Sequence, residues 1–479
     1  MVSADETRPN IVLILADDLG YGDLSVNNSD SKIQTPHLDR LATQGRNFTD
    51  AHSPSGVCTP TRYGVLTGRY AWRSRLKKGV LNAASPPLIE EGRLTLPAML
   101  VQKGYATGAF GKWHLGREWP LVEDGKGVVP TNIDWSKPAL YCALDAGFTY
   151  YFGLSKPAWG FMEDRRALTK PTEAFDLSHI PSHIIGGNND TGYREPGFTF
   201  EQMLPAWVEK TNAYIRRQSE ADTPFFVYFA PICPHRPINP NKEFQGKSDC
   251  GVYGDFVMEL DAAVGSLLQT LEETGEADNT LVIFSADNGA EVNTYLHIET
   301  YDHWSSNGLR GCKRDLYEGG HRVPFIVRWP GRIPAGTRSD EILCLTDLMA
   351  TVASIVDYDL PKTGAAEDSY NQFPAFLGES LDSPIREATV HHSAQGAFAI
   401  RQGDWVYIDR NTGADNREPN HVLKSLGVQA DEEEYELYNL REDPKQTTNA
   451  IRDYPEKAAA LKALLEDYKD RESSLPGRS

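Results

Sequence analysis

Two acidic strand ends carry the first chemistry in the chain. The apolar run IVLILA, Ile11 to Ala16, leads straight into Asp17 and Asp18, and LVIFS runs through Ala286 into Asp287 and Asn288. In open α/β sheets ligands bind outside the carboxyl ends of the strands, so these four oxygen-bearing side chains can converge on one site. Three carboxylates packed together repel one another unless a cation sits among them. A donor set made only of oxygen favours Ca²⁺ or Mg²⁺ over zinc. Taken singly, either pair would also suit an ordinary turn or helix cap.

The segment SPSGVCTPTRYGVLTGRY adds a nucleophile candidate. Thr59 and Pro60 are the types wanted at an N-cap and a first helical position, so a helix is predicted to begin just after Cys58. That places Cys58 at a helix N-terminus, where unpaired N–H groups and the dipole favour an anion. Arg62 lies one turn further and can reach back. A lone cysteine is ordinarily a buried structural thiol; the flanking residues argue for more. GKWHLG places Lys112 and His114 two residues apart, on one face of an extended segment. APICPHRP holds His235 between prolines that stiffen its loop, and LRGCKRDLYEGGHRVP carries Lys313 in a Gly-punctuated basic loop.

The elements that must position these groups are legible as short apolar runs alternating with amphipathic stretches, the pattern of an α/β domain with a large, mainly parallel sheet flanked by helices. Strands are expected at Ile11 to Ala16, Ala106 to Phe110, Phe225 to Ala230, Leu281 to Ser285 and Phe325 to Trp329. Thr35 to Gly45 reads as a helix with Thr35 as N-cap, Pro36 first and Gly45 as terminator. Another helix spans roughly Tyr253 to Thr274, its stripe Val257, Leu260, Val264, Leu267, Leu268 and Leu271 facing the core. After a helix-like segment from Thr346 to Asp357 comes DLPKTGAAEDSYNQFP, which reads as a crossing between domains. Ala388 to Asp409 alternate in strand fashion around Gln402-Gly403-Asp404, and Pro455 to Arg471 is an amphipathic helix. The expected division is a catalytic domain over 8–358, a crossing segment over 359–387, and a smaller C-terminal α+β domain over 388–479 with an antiparallel sheet and a helix.

Composition narrows the function classes. At 479 residues there is room for two or three domains. Lys plus Arg number 48 against 67 Asp plus Glu, and a net charge of −19 argues against a nucleic-acid partner. An anionic substrate is still compatible, because salt limits the global field to roughly 8 Å and cations can gather locally. Six scattered cysteines without a CxxC pair fit neither a zinc ribbon nor a disulfide scaffold, and no disulfide is assigned. The longest apolar runs fall far short of the ~18 residues that span a bilayer, so no membrane span is expected. The first strand follows MVSADETRP directly, so no signal peptide is expected in this sequence.

With these residues in place, the chain resembles the formylglycine-dependent type I sulfatases, in the arylsulfatase A and N-acetylgalactosamine-6-sulfatase branch of the alkaline phosphatase-like superfamily. The resemblance spans nearly the whole chain and follows the family's order: ADDLGYGD, CTPTRYGVLTGR, GKWHLG, PHRP, SADNGAE and GCKRDLYEGG. Where relatives often show GGK, this chain has Gly311-Cys312-Lys313. The resemblance implies that a maturation enzyme, of the formylglycine-generating or anaerobic kind, reads Cys58, Pro60 and Arg62 and oxidises Cys58 to formylglycine. It implies that Asp17, Asp18, Asp287 and Asn288 hold calcium together with residue 58. It further implies that Arg62 steadies the formylglycine, that Lys112 and Lys313 hold sulfate, and that His114 and His235 move protons. A hydrated aldehyde offers two hydroxyls on one carbon, one to attack sulfur and one to drive later release of sulfate. A periplasmic or extracellular location follows from the same resemblance.

Substrate choice is expected from loops at the pocket rim. EVNTYLHIETYDHWSSNGLRG offers His297, His303, Asn307 and Arg310 to sugar hydroxyls or a carboxylate, with Trp304 to stack on a pyranose; a second insertion offers Trp159, Arg165 and Arg166. The expected substrate is a sulfated glycan or oligosaccharide, with 6-sulfated galactose-type sugars favoured. A general arylsulfatase is the nearest alternative. Two rivals differ in kind: a phosphoesterase, which would need two His-rich zinc-class sites, and a sulfoglycan-binding protein in which Cys58 stays a thiol.

Overall fold

The computed structural model describes residues 8–186 and 191–476. A ten-stranded sheet dominates it. In chain order its strands are β1 (Asn10–Ala16), β2 (Arg46–Phe48), β3 (Ala106–Gly111), β4 (Tyr150–Leu154), β5 (Phe161–Glu163), β6 (Arg166–Ala167), β7 (Phe225–Ala230), β8 (Thr280–Ala286), β9 (Phe325–Arg328) and β10 (Thr337–Ser339). Across the sheet they run β10-β2-β9-β8-β1-β7-β3-β4-β5-β6. The central strands β8, β1, β7, β3 and β4 are mutually parallel. β1 and β7 are buried along their whole lengths, as strands covered on both faces must be. The strand expected at Phe325 to Trp329 is present but runs antiparallel to β8.

The flanking helices include α1 (Pro36–Gln44), α2 (Cys58–Thr67), α3 (Met203–Glu220) and α4 (Gly251–Glu273). The apolar stripe of α4 is core: Val257, Leu260, Val264, Leu267, Leu268 and Leu271 are all buried. Thr35 stands at the N-cap position of α1, but its hydroxyl faces Ser25 instead of the helix. The free N–H groups of His37 and Leu38 donate to the Asp261 carboxylate of α4, at 3.1 and 2.8 Å. Capping therefore comes from a distant helix, and burial pushes the Asp261 carboxyl up to about 7.

A second, antiparallel sheet follows: β11 (Thr389–His392), β12 (Phe398–Gln402), β13 (Trp405–Ile408) and β14 (Glu436–Asn439), in that order. Helix α5 (Pro455–Asp470) packs on it, sharing a core of Val390, Ile400, Tyr407, Leu437, Leu461 and Leu465. Arg401 on β12 reaches the large domain, where its guanidinium clasps Asp50 at 2.6 and 2.7 Å. The carbonyl of His392 accepts from Gly56 N at 3.1 Å and Ser55 Oγ at 2.7 Å. The small sheet thus braces the loop that leads into α2. Among the described residues no helix is long and apolar enough to cross a membrane.

Candidate active site

Strand register brings the motifs together. Ala16 pairs with Ala286, so Asp17 and Asp287 leave adjacent parallel strands side by side, and Asp287 N donates to Ala16 O at 3.0 Å. On the other flank Asp17 N donates to Cys233 O at 3.1 Å, and His235 N to Asp17 O at 3.0 Å. Gly111 pairs with Ala230, which delivers Lys112 beside them. Four neighbouring strands therefore end in Asp287 and Asn288, Asp17 and Asp18, His235, and Lys112 to His114. Asp18 and His114 hold positive φ of 66° and 57°, a conformation that non-glycine residues rarely adopt and that often marks functional sites.

Cys58 is itself the first residue of α2, with Val57 extended before it at the cap position. The helix begins two residues earlier than predicted, with Val57 in place of Thr59 at the cap and Cys58 in place of Pro60 at the first position. Thr59 Oγ1 instead donates to His114 O at 3.2 Å and ties the two motifs together. Cys58 Sγ lies 3.2 Å from His114 Nδ1. Arg62 is fully buried one turn on. Its Nε and one terminal nitrogen donate to Asp287 Oδ2 at 3.0 and 2.7 Å, and another reaches Lys112 O at 3.1 Å.

The side chains form an interlocked set of charges. Lys112 Nζ sits 2.6 Å from Asp17 Oδ2, and Lys313 Nζ 2.7 Å from Asp18. Asn288 Nδ2 donates to Asp18 Oδ1 at 2.8 Å, and His235 Nε2 is 3.8 Å from Asp18 Oδ2. Burial works to raise the Asp17 carboxyl, but Lys112 and the other cations outweigh it and hold the group well below the usual carboxylate range. Asp287 is pushed up by burial and then by the charge of Asp17. Burial, reinforced by Lys112, pushes His114 down to about 3, and burial pushes His235 down to about 4. Both imidazoles are neutral near pH 7. Each is also fixed in one tautomer, because His114 Nε2 donates to the Leu81 carbonyl at 2.8 Å and His235 Nδ1 to the Arg236 carbonyl at 2.5 Å.

A metal would find ligands here. Among the described residues, Asp17 Oδ1 and Asn288 Oδ1 are buried acceptors with no hydrogen-bond partner, beside the carboxylates of Asp18 and Asp287. Orphaned buried oxygens are costly unless something coordinates them. Asp17, Asp287 and Cys58 also present ligand atoms within 4.8 Å of one another. The donor set fits a hard divalent cation.

The site opens into a cavity of about 700 Å³. Cys58, Lys112, His114, His235 and Lys313 line its floor, and Leu81, Asn82, Arg117, Lys156, Trp159, Arg236, Glu291 and Arg314 line its walls. None of the four substrate residues expected from the loop after Asn288 is among them. His303 is buried with Nε2 2.8 Å from Asp23, and His297 packs against the Tyr253 ring at 4.4 Å. Arg310 pairs with Glu418 at 2.8 Å and covers the Tyr317 ring, while Asn307 donates to Asn27 O at 3.0 Å. These side chains hold their own loop in place. Trp304 is likewise outside the cavity, packed near Tyr295 and Cys312. Of the second insertion, Trp159 lines the cavity, whereas Arg165 pairs with Asp145 and Arg166 donates to Ser136 O.

Sequence reasoning passed over Arg236, Glu291 and Arg314, although each lies within a motif: PHRP, SADNGAE and GCKRD. Glu291 is the hub, accepting from Arg236 at 3.0 Å and from Arg314 at 2.5 Å. All six cysteines are buried and free of disulfides.

Comparison with known proteins places this geometry. Residues 9–358 match the family model described as Sulfatase. The chain is 32% identical to N-acetylgalactosamine-6-O-sulfatase of Bacteroides thetaiotaomicron, over 97% of this chain and 94% of that protein. It is also 32% identical to human arylsulfatase A, over 95% and 87% of the two chains. Among solved structures, a 6S-sulf protein from work on glycosaminoglycan metabolism by Bacteroides thetaiotaomicron superposes with a TM-score of 0.82. It is 28% identical, with 97% of this chain and 100% of that one covered. The chain belongs to the sulfatase family and is a sulfuric ester hydrolase.

Proposed function

We propose that this enzyme removes sulfate from a sulfated carbohydrate, using formylglycine formed from Cys58 and a calcium ion held by Asp17, Asp18, Asp287 and Asn288. The observation that carries the reading is the meeting of residue 58, at the first turn of α2, with two lysines and two histidines at the floor of one cavity, over three buried carboxylates that pair with the lysines and Arg62. When bound, the cation supplies Lewis-acid charge beside the sulfate and the nucleophile. Oxidation of Cys58 supplies, as a hydrated aldehyde, the paired hydroxyls that attack sulfur and later release sulfate.

The chain's own residues account for the rest. Lys112 and Lys313 present ammonium groups to sulfate oxygens, preorganised by Asp17 and Asp18. His114 keeps an unprotonated Nδ1 toward residue 58, because its Nε2 proton is committed to Leu81 O, so it can take a proton from a hydroxyl there. His235 turns Nε2 toward the cavity, and a sulfate anion close by raises its affinity for a proton, which it then passes, with Lys313, to the departing alcohol. Arg62 binds Asp287 and the Lys112 carbonyl, keeping the carboxylate and the lysine loop in register around residue 58.

A carbohydrate substrate, with a 6-sulfated galactose-type sugar favoured, is supported by the similarity to N-acetylgalactosamine-6-O-sulfatase. A periplasmic or extracellular site of action, and a maturation partner that reads Cys58, Pro60 and Arg62, complete the proposal. The test is sulfate release from N-acetylgalactosamine 6-sulfate and sulfated oligosaccharides against 4-nitrophenyl sulfate, with enzyme matured during expression. Preferential turnover of the sugar esters is expected; turnover of the aryl ester alone would overturn the carbohydrate assignment.

A further inference from the structure

The cavity wall carries an ammonium that the machinery above leaves unmatched. Of the cations lining the cavity, Lys112 is held by Asp17, Lys313 by Asp18, and Arg236 and Arg314 by Glu291. Arg117 donates to the Leu154 carbonyl at 2.8 Å and the Tyr151 hydroxyl at 3.2 Å. Lys156 is different: among the described residues its Nζ has no carboxylate or hydrogen-bond partner. It lies 3.0 Å from the centroid of the Trp159 ring. Its main chain is pinned, since Lys156 O accepts from Trp119 Nε1 at 2.9 Å. Trp159 is pinned as well, edge-on to Phe200 at 4.8 Å. Rigid support for an unpaired cation is the arrangement expected of a recognition group, because little order remains to be gained when a ligand arrives.

Electrostatics agree with the geometry. Burial, with the nearby Lys112 adding to it, pushes the Lys156 ammonium well below its ordinary pKa. An anionic group entering the cavity would offset both effects with its opposite charge and form a charge-assisted hydrogen bond. The sulfate under attack is already matched by Lys112 and Lys313 on the cavity floor. Among the described wall cations Arg117 also lacks a carboxylate, but its two terminal nitrogens are already given to the Leu154 carbonyl and the Tyr151 hydroxyl, which leaves Lys156 as the head group free to meet a second anion.

We propose that Lys156, seated on Trp159, forms a second anion subsite that reads a carboxylate or a further sulfate ester on the sulfated sugar being cleaved. Doubly anionic sugars would then be preferred over singly anionic ones. This rests on the sulfatase reading above and extends it to substrate selection.

The test compares kcat/KM of the matured enzyme on four esters: 4-nitrophenyl sulfate, N-acetylgalactosamine 6-sulfate, N-acetylgalactosamine 4,6-disulfate, and a disaccharide joining a hexuronate to 6-sulfated N-acetylgalactosamine. The last two separate sulfate from carboxylate as the source of the second charge. The wild type is expected to favour at least one of them over the 6-sulfate. Lys156→Met is expected to reduce that ratio about tenfold, mainly through KM, and Lys156→Arg to keep most of it. A wild type without such a preference, an unchanged ratio in Lys156→Met, or an equal fall on every ester would overturn the subsite. The last of these marks Lys156 as a purely structural partner of Trp159. A wild type that hydrolyses none of the four esters sinks the sulfatase mechanism itself, whereas turnover with an unchanged ratio sinks only the subsite.

Discussion

His114 spans two loops: its Nε2 donates to the Leu81 carbonyl at 2.8 Å, and its Nδ1 faces Cys58 Sγ at 3.2 Å. The first contact determines what the second can do, since a ring whose one proton is given to a carbonyl can only accept at the other nitrogen. His114→Gln is therefore expected to lower kcat by ~10²–10⁴ with the fold retained. Steady-state assays alongside thermal unfolding check this, and unaltered kcat would remove His114 from the mechanism.

One divalent cation per chain is expected, with Ca²⁺ or Mg²⁺ preferred over zinc. Elemental analysis and calorimetric titration of chelator-treated protein read this without recourse to activity. At a hundredfold excess over Kd the ion should stabilise the fold by about 3 kcal/mol. Asp17→Asn and Asn288→Ala should each weaken that shift, because they alter the two unpartnered buried oxygens. Two zinc ions per chain would instead favour the phosphoesterase alternative.

Acid should destabilise the fold through a buried histidine cluster away from the nucleophile. His52 and His321 face each other through Nδ1 at 3.0 Å, and His391 stacks on His321 at 3.7 Å. Burial lowers all three, His321 to about 3, despite the carboxylates of Asp50 and Glu318 nearby. Their folded-state pKa values lie below the unfolded value, so the stability they contribute is present above about pH 6.5 and is lost as pH falls. For His321 the loss should reach roughly 2 kcal/mol by pH 5. Urea unfolding between pH 7 and pH 5 measures it, and His321→Asn should flatten the slope.

The brace between the two sheets should be costly to break. Arg401 is nearly buried and clasps Asp50 with two nitrogens. Arg401→Ala leaves that carboxylate with Arg322 at 3.0 Å and His52 at 2.8 Å as its remaining partners, at an expected cost of ~1–3 kcal/mol. Denaturant unfolding checks the figure, and a change below about 1 kcal/mol would show that the clasp is dispensable.

Much of this site was legible because an acidic or basic residue at the end of an apolar run declares its position along with its type. Asp17, Asp18, Asp287, Lys112 and His235 all announce themselves in that way, Asn288 follows Asp287, and the parallel register brings them together. The start of α2 was misplaced by two residues, since whether Val57 or Thr59 caps the helix depends on the extended Val57 backbone and not on side-chain type. The capping of α1 by Asp261 joins groups more than two hundred positions apart, beyond any local signal. The loop after Asn288 misled because His303 and Arg310 can bind a sugar as readily as they bind Asp23 and Glu418. Sequence reports that capacity but not the direction in which a side chain points. Lys156 carried no local signal either, because the role proposed for it rests on the lack of a partner for its ammonium among the described residues.

The central claim is tested most directly by mass spectrometry of the peptide carrying residue 58, after expression with and without a maturation enzyme, with sulfate release measured on the same samples. Expected are a peptide in which aldehyde oxygen has replaced the thiol, turnover in proportion to the converted fraction, and none from Cys58→Ala. Full activity from a sample whose residue 58 is entirely unmodified cysteine would contradict it.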